Sequence, residues 1–150
     1  MRRREFLVVT TVAIAATASS GARAQEIQDI APFVREITGG VEPEEGGIDI
    51  DLPQLAENGH SVPLTVRVPS PMVEADHVSE IHVIAERNPR PKVATFFVGP
   101  WSGRAEVGTR IRLAGTQKLT VVAALSGGRF RIARREVVVA TAACLDEASL

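Results

Sequence analysis

The spacing of strand-like segments constrains the fold of this 150-residue chain more than any other feature. From Gly47 onward, runs rich in Val, Ile and Thr are separated by turn residues every eight to twelve positions or so. Side chains alternate within these runs, since Ile81 and Val83 are apolar while Glu80 and His82 are polar. We predict seven strands, at residues 48–52, 62–68, 78–86, 93–98, 104–113, 118–124 and 130–141. This pattern predicts an all-β fold, a β-sandwich of about seven strands.

Turn-forming residues separate these runs. The pairs Asn-Gly at 58–59, Asn-Pro at 88–89 and Gly-Gly at 127–128 each favour a turn for a different backbone reason. We interpret 127–128 as a hairpin turn, because no Lys-Ser or Lys-Thr follows to form a phosphate loop. Proline cannot donate a backbone hydrogen bond, so Pro63, Pro69 and Pro71 are predicted to restrict their run to a sheet edge or to loops.

A short helix is predicted before the strands, at about residues 27–38. Pro32 is compatible with its first turn, Asp29 lies near its start, and Gly39 provides a stop. Four apolar residues recur at helical spacing on one face: Ile27, Ile30, Val34 and Ile37. We expect this face to pack on the surface of the domain, and docking on a partner is the alternative.

Residues 1–24 have the layout of an export signal. A basic start precedes an apolar span, and Ala22-Arg23-Ala24 forms a small-x-small cleavage site that would leave Gln25 as the first mature residue. The Arg-Arg-Glu-Phe-Leu sequence at 3–7 fits a twin-arginine signal. The apolar span at 6–18 is shorter than the roughly 20 residues that a membrane-spanning helix needs. We therefore predict a cleaved signal, export to the periplasm and no membrane anchor.

Charge and length limit the function of the mature chain. Residues 25–150 carry 13 basic and 17 acidic residues, a net charge of −4. This balance disfavours nucleic acid and anionic membranes as partners. The length suffices for one domain, which we assign to residues 25–140, followed by a tail at 141–150.

The only cysteine of the chain, Cys144, lies in that tail. A β-branched run at 137–139 leads through four small residues, 140–143, to the thiol. A single cysteine cannot form an internal disulfide, so in an oxidising compartment it stays free, pairs with another molecule or carries a group. One interpretation is a reactive thiol that the domain presents to other proteins. The other is a small apolar residue that closes the last strand.

Catalytic patterns are sparse in this sequence. His60, His77 and His82 do not have the spacing of a zinc site, and no glycine-rich elbow accompanies the cysteine. We predict no metal, no cofactor and no turnover chemistry in the chain itself.

Several stretches resemble the SoxY family of sulfur-oxidation carrier subunits. They are Ile-Thr-Gly-Gly at 37–40, Leu-Ala-Glu-Asn-Gly-His-Ser-Val-Pro at 55–63, Val-Pro-Ser-Pro-Met at 68–72, Asn-Pro-Arg-Pro-Lys-Val-Ala-Thr-Phe at 88–96 and Gly-Thr-Arg-Ile-Arg-Leu-Ala at 108–114. The resemblance implies an immunoglobulin-like sandwich, a heterodimer with a SoxZ-like subunit and a periplasmic location. It also implies that Cys144 accepts thiosulfate through a haem enzyme. The loaded carrier then visits a sulfate-releasing hydrolase and a sulfane dehydrogenase.

The tail departs from the family pattern, which ends in Gly-Gly-Cys-Gly-Gly or close to it. Here the sequence at 142–146 is Ala-Ala-Cys-Leu-Asp. Leu145 widens the segment, and Asp146 and Glu147 add negative charge near the thiol, which disfavours the thiolate and repels thiosulfate. Two main interpretations follow, a divergent carrier or a non-carrying β-sandwich scaffold subunit that has lost the glycine arm. An independent thiol enzyme is a third.

Three apolar segments are candidates for a partner interface: residues 70–72, Phe96 with Phe97, and Trp101. One of the two adjacent phenylalanines must face the core of a strand. Trp101 follows Gly-Pro in a turn, so we expect it to be partly exposed.

Overall fold

The computed structural model describes residues 26–142. Within this range it contains one α-helix, α1 at Ala31–Thr38, two short 3₁₀ helices at Pro100–Ser102 and Ser126–Gly128, and nine strands. The strands are β1 Glu44–Glu45, β2 Asp49–Asp51, β3 Leu55–Asn58, β4 Val62–Val68, β5 Val78–Ala85, β6 Lys92–Phe97, β7 Ala105–Ile111, β8 Gln117–Leu125 and β9 Arg129–Thr141. Each of the seven strands expected from the sequence is confirmed, with ends within two residues of the predicted ones. No helix among the described residues is long and apolar enough to cross a membrane.

The strands form two sheets, which confirms the predicted β-sandwich. The larger sheet has the order β1-β9-β8-β5-β6, with β3 also pairing with β9, and the smaller has the order β2-β4-β7. Alternate residues of both sheets enclose one core. Its fully enclosed members include Val62, Leu64, Ile81, Val83, Leu119 and Val121.

Two of the nine strands were not expected from the sequence. Strands β1 and β3 both run parallel to β9, with Glu44 beside Arg131 and Leu55 beside Val138. They are two and four residues long and mostly exposed. Such short, mostly polar segments show no alternation of apolar and polar residues. Their extended conformation depends on pairing with β9.

Helix α1 packs on the outer face of the larger sheet and is shorter than predicted. It begins at Ala31, with Pro32 in its first turn, and Gly39 at φ 63° ends it. The expected start near residue 27 was wrong, because Gln28 is held in non-helical backbone by its N–H bond to the Glu86 carbonyl, 2.8 Å. Ile27 is therefore exposed.

The remaining apolar residues of α1 cover a second, smaller core. Ile84, Val122 and Ile132 are buried on the outer face of the larger sheet. The side chains packed against them are Ile30, Phe33, Val34, Ile37 and Phe130. Burying a side chain of this size contributes about 1.5 to 3 kcal/mol, so the helix is held by packing rather than by its own propensity.

Strand β4 is central in the smaller sheet, so an edge position was wrong for the strand as a whole, whereas Pro69 and Pro71 lie in the loop that follows it. Its partner β7 pairs along the full strand, whereas β2 pairs only with Thr65, Val66 and Arg67. Pro63 lies before the stretch that pairs with β2. At this position, where the backbone has no N–H to donate, β4 therefore has β7 as a neighbour on one side and no strand on the other.

The 127–128 pair forms the predicted turn between β8 and β9. Gly127 and Gly128 have φ of 76° and 71°, a region that favours glycine. The turn fixes the register in which Leu125 faces Arg129 and Gln117 faces Val137. Strand β9 therefore starts at one end of the sandwich and delivers the chain to the opposite end.

Candidate functional site

The last described strand leads the chain towards Cys144 and is held firmly up to its end. Near that end, the Val138 N–H donates to the Gln54 carbonyl at 2.9 Å, and the Val139 N–H donates to Thr116 Oγ1 at 2.9 Å. The Thr141 carbonyl accepts from the Gly59 N–H at 2.8 Å. We call the surface around Thr141 the tail root. Cys144 itself lies outside the described residues, as do Ala24 and Gln25 of the proposed cleavage site.

A tight turn after β3 forms one side of the tail root. Asn58 Oδ1 accepts the His60 N–H at 3.2 Å, and the buried Gly59 carbonyl accepts the Leu113 N–H at 2.8 Å. Gly59 therefore joins Thr141 on one side to Leu113 on the other. His60 is exposed at this turn.

The outer face of the tail root carries an exposed apolar pair. Leu55 and Val138 are register neighbours on β3 and β9, and they are 60% and 47% exposed. Val139, the next residue of β9, points into the core and is buried. This pair is not recognisable in the sequence, because Leu55 and Val138 are 83 positions apart and only the pairing of β3 with β9 brings them together.

The same face carries two exposed carboxylates, Glu57 and Glu136, and Lys118 of β8 is the register neighbour of Glu136. Glu136 precedes Val138 by two positions in β9, and Glu57 follows Leu55 by two in β3, so side-chain alternation puts both carboxylates on the side of the apolar pair. Both glutamates are exposed, and neither forms an ion pair with another residue in the range 26–142.

The three histidines are far apart in the fold. His60 lies at the tail root, whereas the His77 Nδ1 is 3.1 Å from the Val73 carbonyl near the β8–β9 turn. His82 lies on the outer face of β5, with Nδ1 3.1 Å from Thr95 Oγ1 and Nε2 2.8 Å from Glu80 Oε2. Residues 26–142 contain no group of three or more His, Cys, Asp or Glu side chains that could hold a metal ion.

Two clefts lie beside α1. One of about 390 Å³ is bounded by α1, residues 40–45 and parts of β8 and β9. It mixes both charge signs, since Lys118 and Arg134 face Glu42, Glu45 and Glu86, and so has no preference for an anion. The other, of about 500 Å³, lies between α1 and β6.

Asn88, within one of the family-like stretches, has a structural role. Its side-chain amide donates to the Arg112 carbonyl at 2.8 Å and accepts from the Ala114 N–H at 3.0 Å and from Gln117 Nε2 at 3.1 Å. The side chain is 5% exposed, so it satisfies buried polar groups that would otherwise be unpaired.

The nominated partner segments differ in exposure. Met72 is buried in the core, and Phe96 is partly buried and packs against the same core. Phe97 and Trp101 are 73% and 80% exposed, as expected for Trp101. The Trp101 ring lies over Gly99, where an added Cβ would come within 2.1 Å of it. We call Phe97 and Trp101 the aromatic patch.

Comparison with known proteins identifies the family. The family model described as sulfur oxidation protein SoxY matches residues 34–144, most of the chain and through the cysteine. This chain belongs to the SoxY family. The solved structure of the sulfur carrier protein SoxY from Chlorobium limicola f. thiosulfatophilum is 35% identical, with 72% of this chain and 89% of that chain covered and a TM-score of 0.62. Curated proteins gave no significant match.

More distant structures share the fold alone. A superoxide reductase (neelaredoxin) from Ignicoccus hospitalis is 19% identical, covering 64% of this chain and 82% of its own, with a TM-score of 0.56. A putative superoxide reductase from Thermotoga maritima is 17% identical, with 65% and 87% covered and a TM-score of 0.52. At these identities the likeness concerns the sandwich and carries no argument about activity.

Proposed function

We propose that this protein is the carrier subunit of a periplasmic thiosulfate-oxidising system and holds sulfur intermediates covalently on Cys144. The observation that carries the proposal is the position of the thiol. Strand β9 is locked into the larger sheet through Thr141, and the only cysteine of the chain follows three residues later. The family match runs through this cysteine, and the Chlorobium relative is a sulfur carrier protein.

The proposed loading step joins two sulfur atoms. The Cys144 sulfur forms a bond to the terminal sulfur of thiosulfate, the thiol proton is released, and two electrons pass to the haem enzyme that catalyses the step. The product is a cysteine S-thiosulfonate. Water then splits its S–SO₃ bond at the hydrolase, releasing hydrogen sulfate and leaving a persulfide on Cys144 for the sulfane dehydrogenase.

Tethering is the physical advantage of this arrangement. An intermediate that stays bound to the carrier reaches each successive active site at the concentration of the carrier and is not lost by diffusion. The described residues put His60, His77 and His82 in three separate places, so we assign the bond-making and bond-breaking chemistry to the partner enzymes.

The altered tail supports a second candidate, a non-carrying scaffold subunit. Alanines at 142 and 143 and Leu145 stand where the family has glycines, and Asp146 and Glu147 add charge that repels thiosulfate. A scaffold keeps the sandwich and its partner contacts without needing the thiol. Carriage remains the preferred function because the cysteine itself is retained.

We further propose that a SoxZ-like subunit binds the aromatic patch. Exposed aromatic side chains are typical anchors of protein interfaces, and Phe97 lies in the same row of the sheet as Ala124 and Phe130, at the start of β9. Eleven residues of β9 separate Phe130 from Thr141, about 35 Å of extended strand. A subunit bound there would leave the tail root free for the enzymes.

Replacement of the cysteine in the native host tests carriage. We expect Cys144→Ala to abolish sulfate formation from thiosulfate, while the variant accumulates in the periplasm and still binds its partner subunit. Asp146→Asn is the matched tail control and should retain sulfate formation. Sulfate formation at the wild-type rate by Cys144→Ala would favour the scaffold.

A further inference from the structure

We propose that the apolar pair Leu55 and Val138, with Glu57 and Glu136 beside it, is the docking surface for the enzymes that act on Cys144. This inference rests on the proposed function. The partner is defined by its chemistry: an enzyme whose pocket mouth has apolar side chains facing the pair and basic side chains facing the glutamates.

The thiol lies only a few residues along the chain from the anchored end of β9. Cys144 is three positions after Thr141, and three residue steps span at most about 10 Å. Since the Thr141 carbonyl is held by Gly59, the sulfur cannot travel far from the sandwich while this bond persists. An enzyme that encloses the sulfur must therefore bring its own surface against the tail root.

A contact of ordinary size at the tail root would include the apolar pair. A standard protein interface buries about 800 Å² on each partner, which corresponds to a disc of about 16 Å radius. Val138 lies three strand residues before Thr141, about 10 Å away, and Leu55 is its neighbour on β3. Both side chains fall within a disc centred on the tail root.

Exposure and charge distinguish this face of the tail root as a docking surface. Leu55 and Val138 are large apolar side chains directed to solvent beside one another, the arrangement that the centre of an interface requires. Glu57 and Glu136 form no ion pair in the described range, although Lys118 is the register neighbour of Glu136, and Glu57 is the carboxylate nearer to Thr141. A pocket that admits the thiosulfate dianion needs positive charge at its mouth, so the two carboxylates complement it.

Enzyme-dependent and enzyme-free modification of the same thiol test the proposal. The mature wild-type protein, Leu55→Asp and Val138→Thr are incubated with thiosulfate and the purified haem enzyme, and loading is followed by intact mass. Val73→Asp is the matched control, because Val73 is 51% exposed and lies near the β8–β9 turn, at the other end of the sandwich. Iodoacetamide reports the accessibility of Cys144 without any enzyme.

We expect Leu55→Asp to slow enzymatic loading by about tenfold or more and Val138→Thr by about two- to fivefold. Iodoacetamide rates should be unchanged, and Val73→Asp should load like wild type. Val138→Thr keeps a β-branched residue in β9, so it tests the surface even if Leu55→Asp unfolds. Added salt should slow wild-type loading more than loading of a Glu57→Gln, Glu136→Gln double variant.

Three results would overturn docking at this surface. The first is wild-type loading of both Leu55→Asp and Val138→Thr. The second is a change in the iodoacetamide rate of the variants as large as the change in their loading rate, which would mean that the chain's own tail covers the pair. The third is a dimer that Leu55→Asp dissociates, which would assign the pair to a second copy. Failure of the wild-type protein to load at all is distinguishable from these, because it would refute the carrier function and docking with it.

Discussion

The backbone N–H of Gly59 donates to the carbonyl oxygen of Thr141 over 2.8 Å. This bond joins the turn after β3 to the last residue of β9, three positions before Cys144, and so fixes the end of that strand. The Gly59 carbonyl in turn accepts from Leu113, at the end of the segment that follows β7. A carrier that presents its thiol from a fixed point needs such an anchor, and two further bonds, from Val138 and Val139, hold the same strand end.

Replacement of Thr116 by valine should loosen this anchor. Thr116 Oγ1 accepts the Val139 N–H, and Val139 is 8% exposed, so the change leaves a buried donor unpaired. We expect the free energy of unfolding, measured in urea, to fall by about 1 to 3 kcal/mol, with faster hydrogen exchange at the Val139 amide. Thr116→Ser keeps the hydroxyl and should lose less than half as much. Equal stability of the valine variant and the wild type would contradict the assigned role.

Replacement of Gly99 by alanine should displace the ring of Trp101. An added Cβ would meet the ring at 2.1 Å, whereas Gly99 has φ of −176°, which alanine adopts without strain. Trp101 is the only tryptophan, so near-ultraviolet circular dichroism reports on it directly. We expect a changed tryptophan signal, unaltered far-ultraviolet dichroism and weaker binding of the SoxZ-like subunit.

Gly108→Ala is the control for that experiment. Its added Cβ would meet only Thr65 Oγ1 at 3.7 Å, an ordinary contact. The control should keep both the tryptophan signal and the partner affinity. Partner binding by Gly99→Ala at wild-type strength, despite a displaced ring, would remove Trp101 from the proposed interface.

Export should depend on the arginine pair at 3–4. We expect Arg3→Lys with Arg4→Lys to leave the precursor inside the cell, because the twin-arginine route reads that pair. Fractionation and intact mass check the result, and the wild-type periplasmic form should begin at Gln25. Arg2→Lys leaves the pair intact and should be exported normally. A periplasmic double variant processed at Ala24 would show that another export route is used.

Local patterns predicted most of the fold. The seven strands follow from alternation and turn residues, and both signals depend on neighbours in sequence. Strands β1 and β3 could not be predicted in this way, since their conformation comes from pairing with β9. The start of α1 depends on the bond between Gln28 and Glu86, residues 58 positions apart. Ile27 fitted the helical spacing but lies outside the helix.

The candidate site was predictable only in part. Cys144 is identifiable from the sequence because it is the only cysteine, but the apolar pair at the tail root depends on the register of a parallel pairing. Met72 illustrates the opposite difficulty, since its proline-bearing loop was a candidate partner interface and the methionine is 4% exposed. Burial in loops depends on which strands the loop covers, and that is a property of the whole sandwich.

The carrier function is tested most directly by the mass of the protein purified from its native host during growth on thiosulfate. We expect an adduct on the mature chain that reductant removes and that is absent from Cys144→Ala, and the mass of the adduct identifies the sulfur species. An unmodified chain under the same growth conditions would contradict carriage on Cys144.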